Sequence, residues 1–189
     1  MPFVYLGKTQ VLTKVVLHTT RLTLVPVSRQ DISDIFENFT AEITRYMMPA
    51  PAETESDTEA FVAAAITGFE RHSDLHLSIR SRTTDEFLGI CGLHDRLGPD
   101  DLELGIWLKK AAHGNNYGLE AISAVKDWAE EFLSYRQLIY PVYRRNIPSR
   151  RIAEALGGTV IDEDKKVSMG GQELDEVVYS IGNPNKSGT

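Results

Sequence analysis

An α+β domain, a mixed sheet covered by helices, is the fold class this sequence predicts, and three observations predict it. Apolar and polar residues alternate over strand-length runs, as in TRLTLVPV (20–27) and LELGIWL (102–108). Two longer segments, 56–71 and 117–133, carry apolar residues at helical spacing. One strand–helix–strand unit (102–108, 117–133, 138–144) lies within a run of strands close enough to pair as hairpins, so a parallel pair is set into a mostly antiparallel sheet.

Each element has its own signal. After the strand at 20–27, Ser28 offers an N-cap for a helix through 31–39. The helix at 56–71 has Ser56 or Asp57 as cap, and Phe61, Ala65 and Phe69 fall on one face. Segments 75–83 and 86–96 are strands of a hairpin turning near Thr84 and Asp85, and Asp100 and Asp101 lead into 102–108. The helix at 117–133 buries Tyr117, Ala121, Ala124, Trp128 and Phe132 and turns Glu120, Asp127, Glu130 and Glu131 to water. In strand 138–144, Pro141 lacks an amide hydrogen and marks a bulge or an edge. A short helix at 148–156 stops at Gly157 and Gly158, and strands near 159–163 and 174–181 close the run.

The 189 residues suit a single domain, with 42% hydrophobic and 25% charged residues. We expect an N-terminal arm or extra strand at 1–18, the domain at 19–182 and a flexible tail at 183–189. The lone cysteine, Cys91, excludes an internal disulfide and points to a reducing compartment. The net charge of −7 argues against a general nucleic-acid coat. No stretch has the layout of a signal peptide or the length of a membrane span, so the expected location is cytoplasmic. Oligomeric state is left as monomer or homodimer.

Between strand and helix lies LKKAAHGNNYGLEA (108–121). His113, Gly114, Asn115, Asn116, Tyr117 and Gly118 immediately precede or open the helix, where free amides carry partial positive charge and suit a pyrophosphate. Glycine permits close approach, and asparagine tolerates left-handed backbone angles. Taken alone, the segment reads first as an ordinary polar turn with an Asn/Gly cap. It is neither a Walker loop nor a dinucleotide fingerprint, because the spacing of neither is present.

Further pieces flank it: Glu103-Leu104-Gly105-Ile106-Trp107-Leu108 before, Gly118-Leu119-Glu120-Ala121 after, then Asn146-Ile147-Pro148-Ser149 and Glu154-Ala155-Leu156-Gly157-Gly158. With Thr20-Arg21-Leu22-Thr23-Leu24-Val25-Pro26, this set resembles the GNAT acetyltransferases, and among them the RimJ/RimL-like branch, from about residue 19 to 181. Three positions depart from that pattern: Asn116 replaces the second loop glycine, Ile106 an aromatic, and Gly158 a phenylalanine.

The resemblance implies a GNAT-like fold with a splayed parallel strand pair and direct transfer of acetyl from acetyl-CoA to an amine. Side chains alternate along 102–108, so Glu103, Gly105 and Trp107 share a face opposite to Leu102, Leu104, Ile106 and Leu108. By resemblance, Glu103 is the base. The amides of Ile106, Trp107 and Leu108 meet the acetyl and pantetheine, and 113–118 holds the pyrophosphate. Asn146 bonds the pantetheine, Ser149 or Tyr143 protonates the leaving thiolate, and Arg151 meets a phosphate. Lys109, Lys110, Arg144, Arg145 and Arg150 add positive charge around that end. The acceptor is expected to be a protein N-terminal amine. A small amine, or a non-catalytic acyl-CoA-binding module, is the alternative.

Two other groupings carry less. Cys91 and His94 are three apart in a strand and face opposite ways, so Cys91 reads as a packed thiol. His72 and His76 straddle a helix end without a third ligand, so no metal is expected.

Overall fold

A computed structural model describes residues 2–95, 98 and 100–183. Strand β1 (Leu17–His18) is followed by β2 (Leu22–Pro26) and a single 3-10 turn capped by Ser28, whose hydroxyl accepts from the Gln30 amide while Asp31 accepts from the Ser28 amide. That turn leads into α1 (Ile32–Asn38), a one-turn α2 (Ala41–Thr44) and α3 (Glu55–Arg71). The cap of α3 is Thr54, not Ser56 or Asp57: Asp57 sits at the third helical position and accepts from the Thr54 amide and hydroxyl, each at 2.9 Å. Then come β3 (Asp74–Ser81), β4 (Phe87–His94), β5 (Asp101–Leu108), α4 (Tyr117–Phe132), β6 (Gln137–Tyr143), α5 (Ile147–Ala155), β7 (Thr159–Val167) and β8 (Glu173–Gly182). Strand β7 runs four residues past its expected end, because its charged residues keep pairing with β8 through Val167–Glu173. Residues 96, 97 and 99 lie outside the described set.

The strands form one sheet in the order β1-β2-β3-β4-β5-β6-β8-β7, and only β5 and β6 run parallel. Pro141 is in an interior strand, not at an edge: β6 is flanked by β5 and β8, and Pro141 stands opposite Val178 in an unbroken register. Helix α4 covers one face, with Ala121, Ile122 and Val125 fully buried over Leu77, Cys91, Leu93 and Leu104. On the other face, α1 and α3 bury Ile35 and Val62 against Phe87 and Ile90, with Trp107 alongside. The expected alternation along β5 therefore holds, and Cys91 is 1% exposed in the larger core.

The segment before β2 is tied down. Phe3 and Leu12 are buried, and the backbone bonds Phe3 N to His72 O (2.6 Å), Leu6 N to Phe132 O (2.9 Å) and Ser134 N to Val4 O (2.7 Å) hold it to the domain. Asn183 is buried and donates to the Tyr135 carbonyl, while residues 184–189 lie outside the described set. Among the described residues, no helix is long and apolar enough to cross a membrane.

Candidate active site

The parallel pair is a fork. Register partners are Asp101–Gln137, Leu102–Leu138 and Glu103–Ile139, and there the pairing stops, although β5 continues to Leu108 and β6 to Tyr143. The closed end is clamped: Arg136 donates two hydrogen bonds to Asp101 (3.0 and 2.7 Å) and Gln137 a third (3.1 Å). Burial pushes the Asp101 carboxyl up, but those bonds outweigh it and hold the group below its ordinary range. Beyond Glu103, β5 keeps its ladder with β4 through Leu108, while its β6 side has none among the described residues. Backbone groups pointing into the fork are therefore open to a ligand. Pro141 lies past the fork point, where no β5 ladder remains for its missing amide to break.

The loop after β5 leads to the start of α4. Asn116 takes a left-handed conformation (φ 59°) as the helix N-cap, so it supplies the turn that glycine supplies in the family pattern. Its side chain caps no helix amide, and the first intrahelical bond runs from Glu120 N to Asn116 O. The amides of Tyr117, Gly118 and Leu119 therefore keep no intrahelical acceptor. His113 bonds the Leu108 carbonyl (2.9 Å), and the Asn115 amide bonds the carbonyls of Ala112 and His113, so these two side chains brace the loop. A β-carbon on Gly118 would lie 2.8 Å from Ile152 and 3.6 Å from Ile106, which is how closely the helix start packs on β5 and α5.

Two separated motif pieces meet at this turn. Glu120 accepts from the Thr19 hydroxyl (2.5 Å), the Arg21 amide (2.9 Å) and the Arg21 guanidinium (2.7 Å), and Arg21 lies 4.7 Å over the Tyr117 ring. Burial opposes ionisation of Glu120, and these partners together hold its carboxyl below the usual range. The expected basic cluster is more dispersed. Lys109 pairs with Glu86, Lys110 with Glu42 and Arg144 with Glu163, while Arg150 bonds the Tyr179 hydroxyl (2.9 Å). Arg151 is exposed on α5 and forms no ion pair among the described residues.

Glu103 is half-buried at the fork point, on the same face as Trp107, whose ring meets Phe39 at 4.9 Å. Asn146 caps α5, accepting from the Ser149 amide at 3.4 Å. The Ser149 hydroxyl lies 2.9 Å from that of Tyr140, which the sequence marked only as part of strand 138–144. Burial pushes the Tyr140 hydroxyl up to about 12, with the Ser149 bond opposing. Tyr143 is three residues on and therefore on the other face, apart from Ser149. Its hydroxyl is buried without a hydrogen-bond partner, and burial, helped by Glu176, raises it. It borders a cavity of about 210 Å³ also lined by Tyr46, Arg145, Lys165, Glu173 and Asp175. Asp74, which the sequence did not mark, and His94, weighed there only with Cys91, share a hydrogen bond of 2.9 Å on the Glu103 face.

A forked parallel pair beside a helix start with free amides, with titratable groups at the fork, leaves a cleft open to an extended anionic ligand. Residues 21–159 match the family model described as acetyltransferase (GNAT) domain, and the chain belongs to that family. The GNAT fold uses acetyl-CoA, and the free amides, left-handed turn and open strand edges described above fit that group. Among solved structures, a GCN5-related N-acetyltransferase from Brucella melitensis is similar with TM-score 0.76 at 17% identity, covering 97% of this chain and 84% of that one. The ribosomal-protein acetyltransferase RimL, solved with coenzyme A, gives 0.75 at 14%, covering 88% and 97%. A ribosomal-protein-alanine acetyltransferase from Vibrio fischeri gives 0.75 at 15%, covering 93% and 100%. No curated protein matches the sequence.

Proposed function

We propose that this chain transfers acetyl from acetyl-CoA to the N-terminal amine of a peptide or protein. The observation that carries the reaction is the fork: its mouth holds open backbone groups of β5, the half-buried Glu103 and the Ser149–Tyr140 pair. The start of α4 and the loop before it hold the pyrophosphate, and Asn146 the pantetheine arm. Glu103 takes a proton from the ammonium, since only the free amine has a lone pair to attack. Nitrogen bonds to the thioester carbonyl carbon, open amides within Ile106 to Leu108 hold the developing oxyanion, and the C–S bond breaks. Ser149, with Tyr140 behind it, gives the thiolate its proton. Tyr143 faces the acceptor side instead.

The ribosomal-protein acetyltransferases among the structural relatives support a peptide acceptor. The test is CoA release from acetyl-CoA in the presence of N-terminal peptides, polyamines and aminoglycosides, with acetylated products identified by mass spectrometry. Peptide-dependent release is expected. Release with small amines alone moves the acceptor to that class, and acetyl-CoA that neither binds nor raises the Tm ends the cofactor assignment.

A further inference from the structure

Acetylating an ammonium removes two protons from one nitrogen: one before attack, the second from the tetrahedral adduct before the amide forms. A single carboxylate must discharge to solvent between the two. The structure holds a second basic group on the face where Glu103 stands.

Strand register sets Asp74 opposite His94, and His94 opposite Glu103, so the three stand in one row across β3, β4 and β5. The next row is His76, Gly92 and Gly105. His94 Nδ1 lies 2.9 Å from Asp74 Oδ1, and the Ser73 hydroxyl donates to the other Asp74 oxygen at 2.8 Å. The hydrogen bond from His94 is the main cause that holds the Asp74 carboxyl well below the usual range, against the pull of burial. An ionised carboxylate has no proton to give, so Nδ1 donates to it, and in the neutral ring Nε2 is the acceptor. Nε2 turns over the two glycines: a β-carbon would lie 2.8 Å from it at Gly92 and 3.6 Å at Gly105. His94 is buried, 5% exposed, and its Nε2 edge lies over Gly105, two residues along β5 from Glu103 and on the same face. The ring is held in place by the His76 ring, at 4.6 Å, which in turn meets Phe61 of α3 edge-on at 5.4 Å.

We infer that His94, oriented by Asp74, is a second proton acceptor of the acetyl transfer, an assignment that rests on the function proposed above. Glu103 takes the ammonium proton, and His94 Nε2 takes the second as the C–N bond becomes an amide. Asp74 stabilises the imidazolium until the product leaves and water reaches the ring through the cleft. The thiolate takes its own proton from the Ser149–Tyr140 pair, so one proton is released per turnover. Asp74, His76 and His94 also place ligand-type atoms within 4.8 Å of one another, as a metal site would. A metal ion held by these three is the competing occupant, and chelation tests it.

The test measures CoA release with the best amine at saturating acetyl-CoA. His94→Gln and His94→Ala are expected to lower kcat at least about tenfold with the acetyl-CoA KM unchanged, and free imidazole to restore His94→Ala but not Glu103→Gln. Gly105→Ala adds a methyl at ordinary contact distance from Nε2, so it is expected to keep the wild-type Tm and lose turnover. EDTA is expected to change nothing. Wild-type kcat in His94→Gln overturns the assignment, as does a loss that imidazole does not restore, or turnover abolished by EDTA and returned by zinc. No CoA release by the wild type with any amine overturns the proposed function and this step with it.

Discussion

Strands β5 and β6 are one pair with two halves. From Asp101 to Glu103 they share a parallel ladder under a clamp of Arg136 and Gln137 on Asp101. From Leu104 onward they part, and the same backbone groups that would close a sheet face an open cleft. The closed half is built of interactions that satisfy each other. The open half is built of groups left for a ligand, beside a helix start whose cap side chain leaves its amides alone. A site of this kind depends on where pairing stops, so substitutions in the two halves should separate effects on turnover from effects on stability.

The largest separation is expected at the fork point. Glu103→Gln should lower kcat by about a hundredfold or more while acetyl-CoA still raises the Tm. Wild-type turnover in that variant removes Glu103 as a base. Next is the helix start. Asn116→Val forces a β-branched residue into a left-handed turn, at about 1–2 kcal/mol, so the KM for acetyl-CoA should rise about tenfold while Asn116→Gly stays close to wild type. Equal KM values in both variants would mean that the turn does not shape the pyrophosphate site.

In the closed half the effects should be on stability. Asp101→Asn should lower the Tm by about 1–3 °C, because Arg136 is mostly exposed and its pairing is screened. The sign of the pH dependence follows from the depressed Asp101 group. Its stabilisation is fully present above the ordinary value of 3.8 and is lost as pH falls through the lower folded value. The Tm gap between wild type and variant should therefore close at acid pH, and a gap that widens there would show that the clamp is not ionic. The smallest effect on turnover is expected at Cys91, on the core face behind the fork. Cys91→Ala should cost about 1 kcal/mol of stability and leave kcat unchanged. Burial raises the native thiol, so it should not react with thiol reagents until the protein unfolds.

Much of this was legible residue by residue. Alternation separated the faces of β5, and asparagine's tolerance of left-handed angles marked Asn116. The Thr20-Arg21 and Gly118-Leu119-Glu120 pieces carried part of the family resemblance, but their meeting through Glu120 required coordinates. Pro141 misled as an edge signal, because a strand beside a fork loses its ladder on one side without being an edge. Tyr140 lies in the core, yet its hydroxyl reaches Ser149 on α5, a contact no local pattern marked. Asp74 and His94 are twenty residues apart and gave no local pattern.

By itself the sequence determined the elements, the family resemblance and the faces on which Glu103 and Trp107 stand. Those follow from dihedral preferences and side-chain periodicity, which act within a few residues. Only the tertiary structure decided where β5 and β6 separate, which hydroxyl stands behind Ser149, and that Asp74, His94 and Glu103 share one row. Strand register couples positions far apart in the chain through backbone hydrogen bonds that do not depend on side-chain identity, so those juxtapositions leave no trace in any one segment.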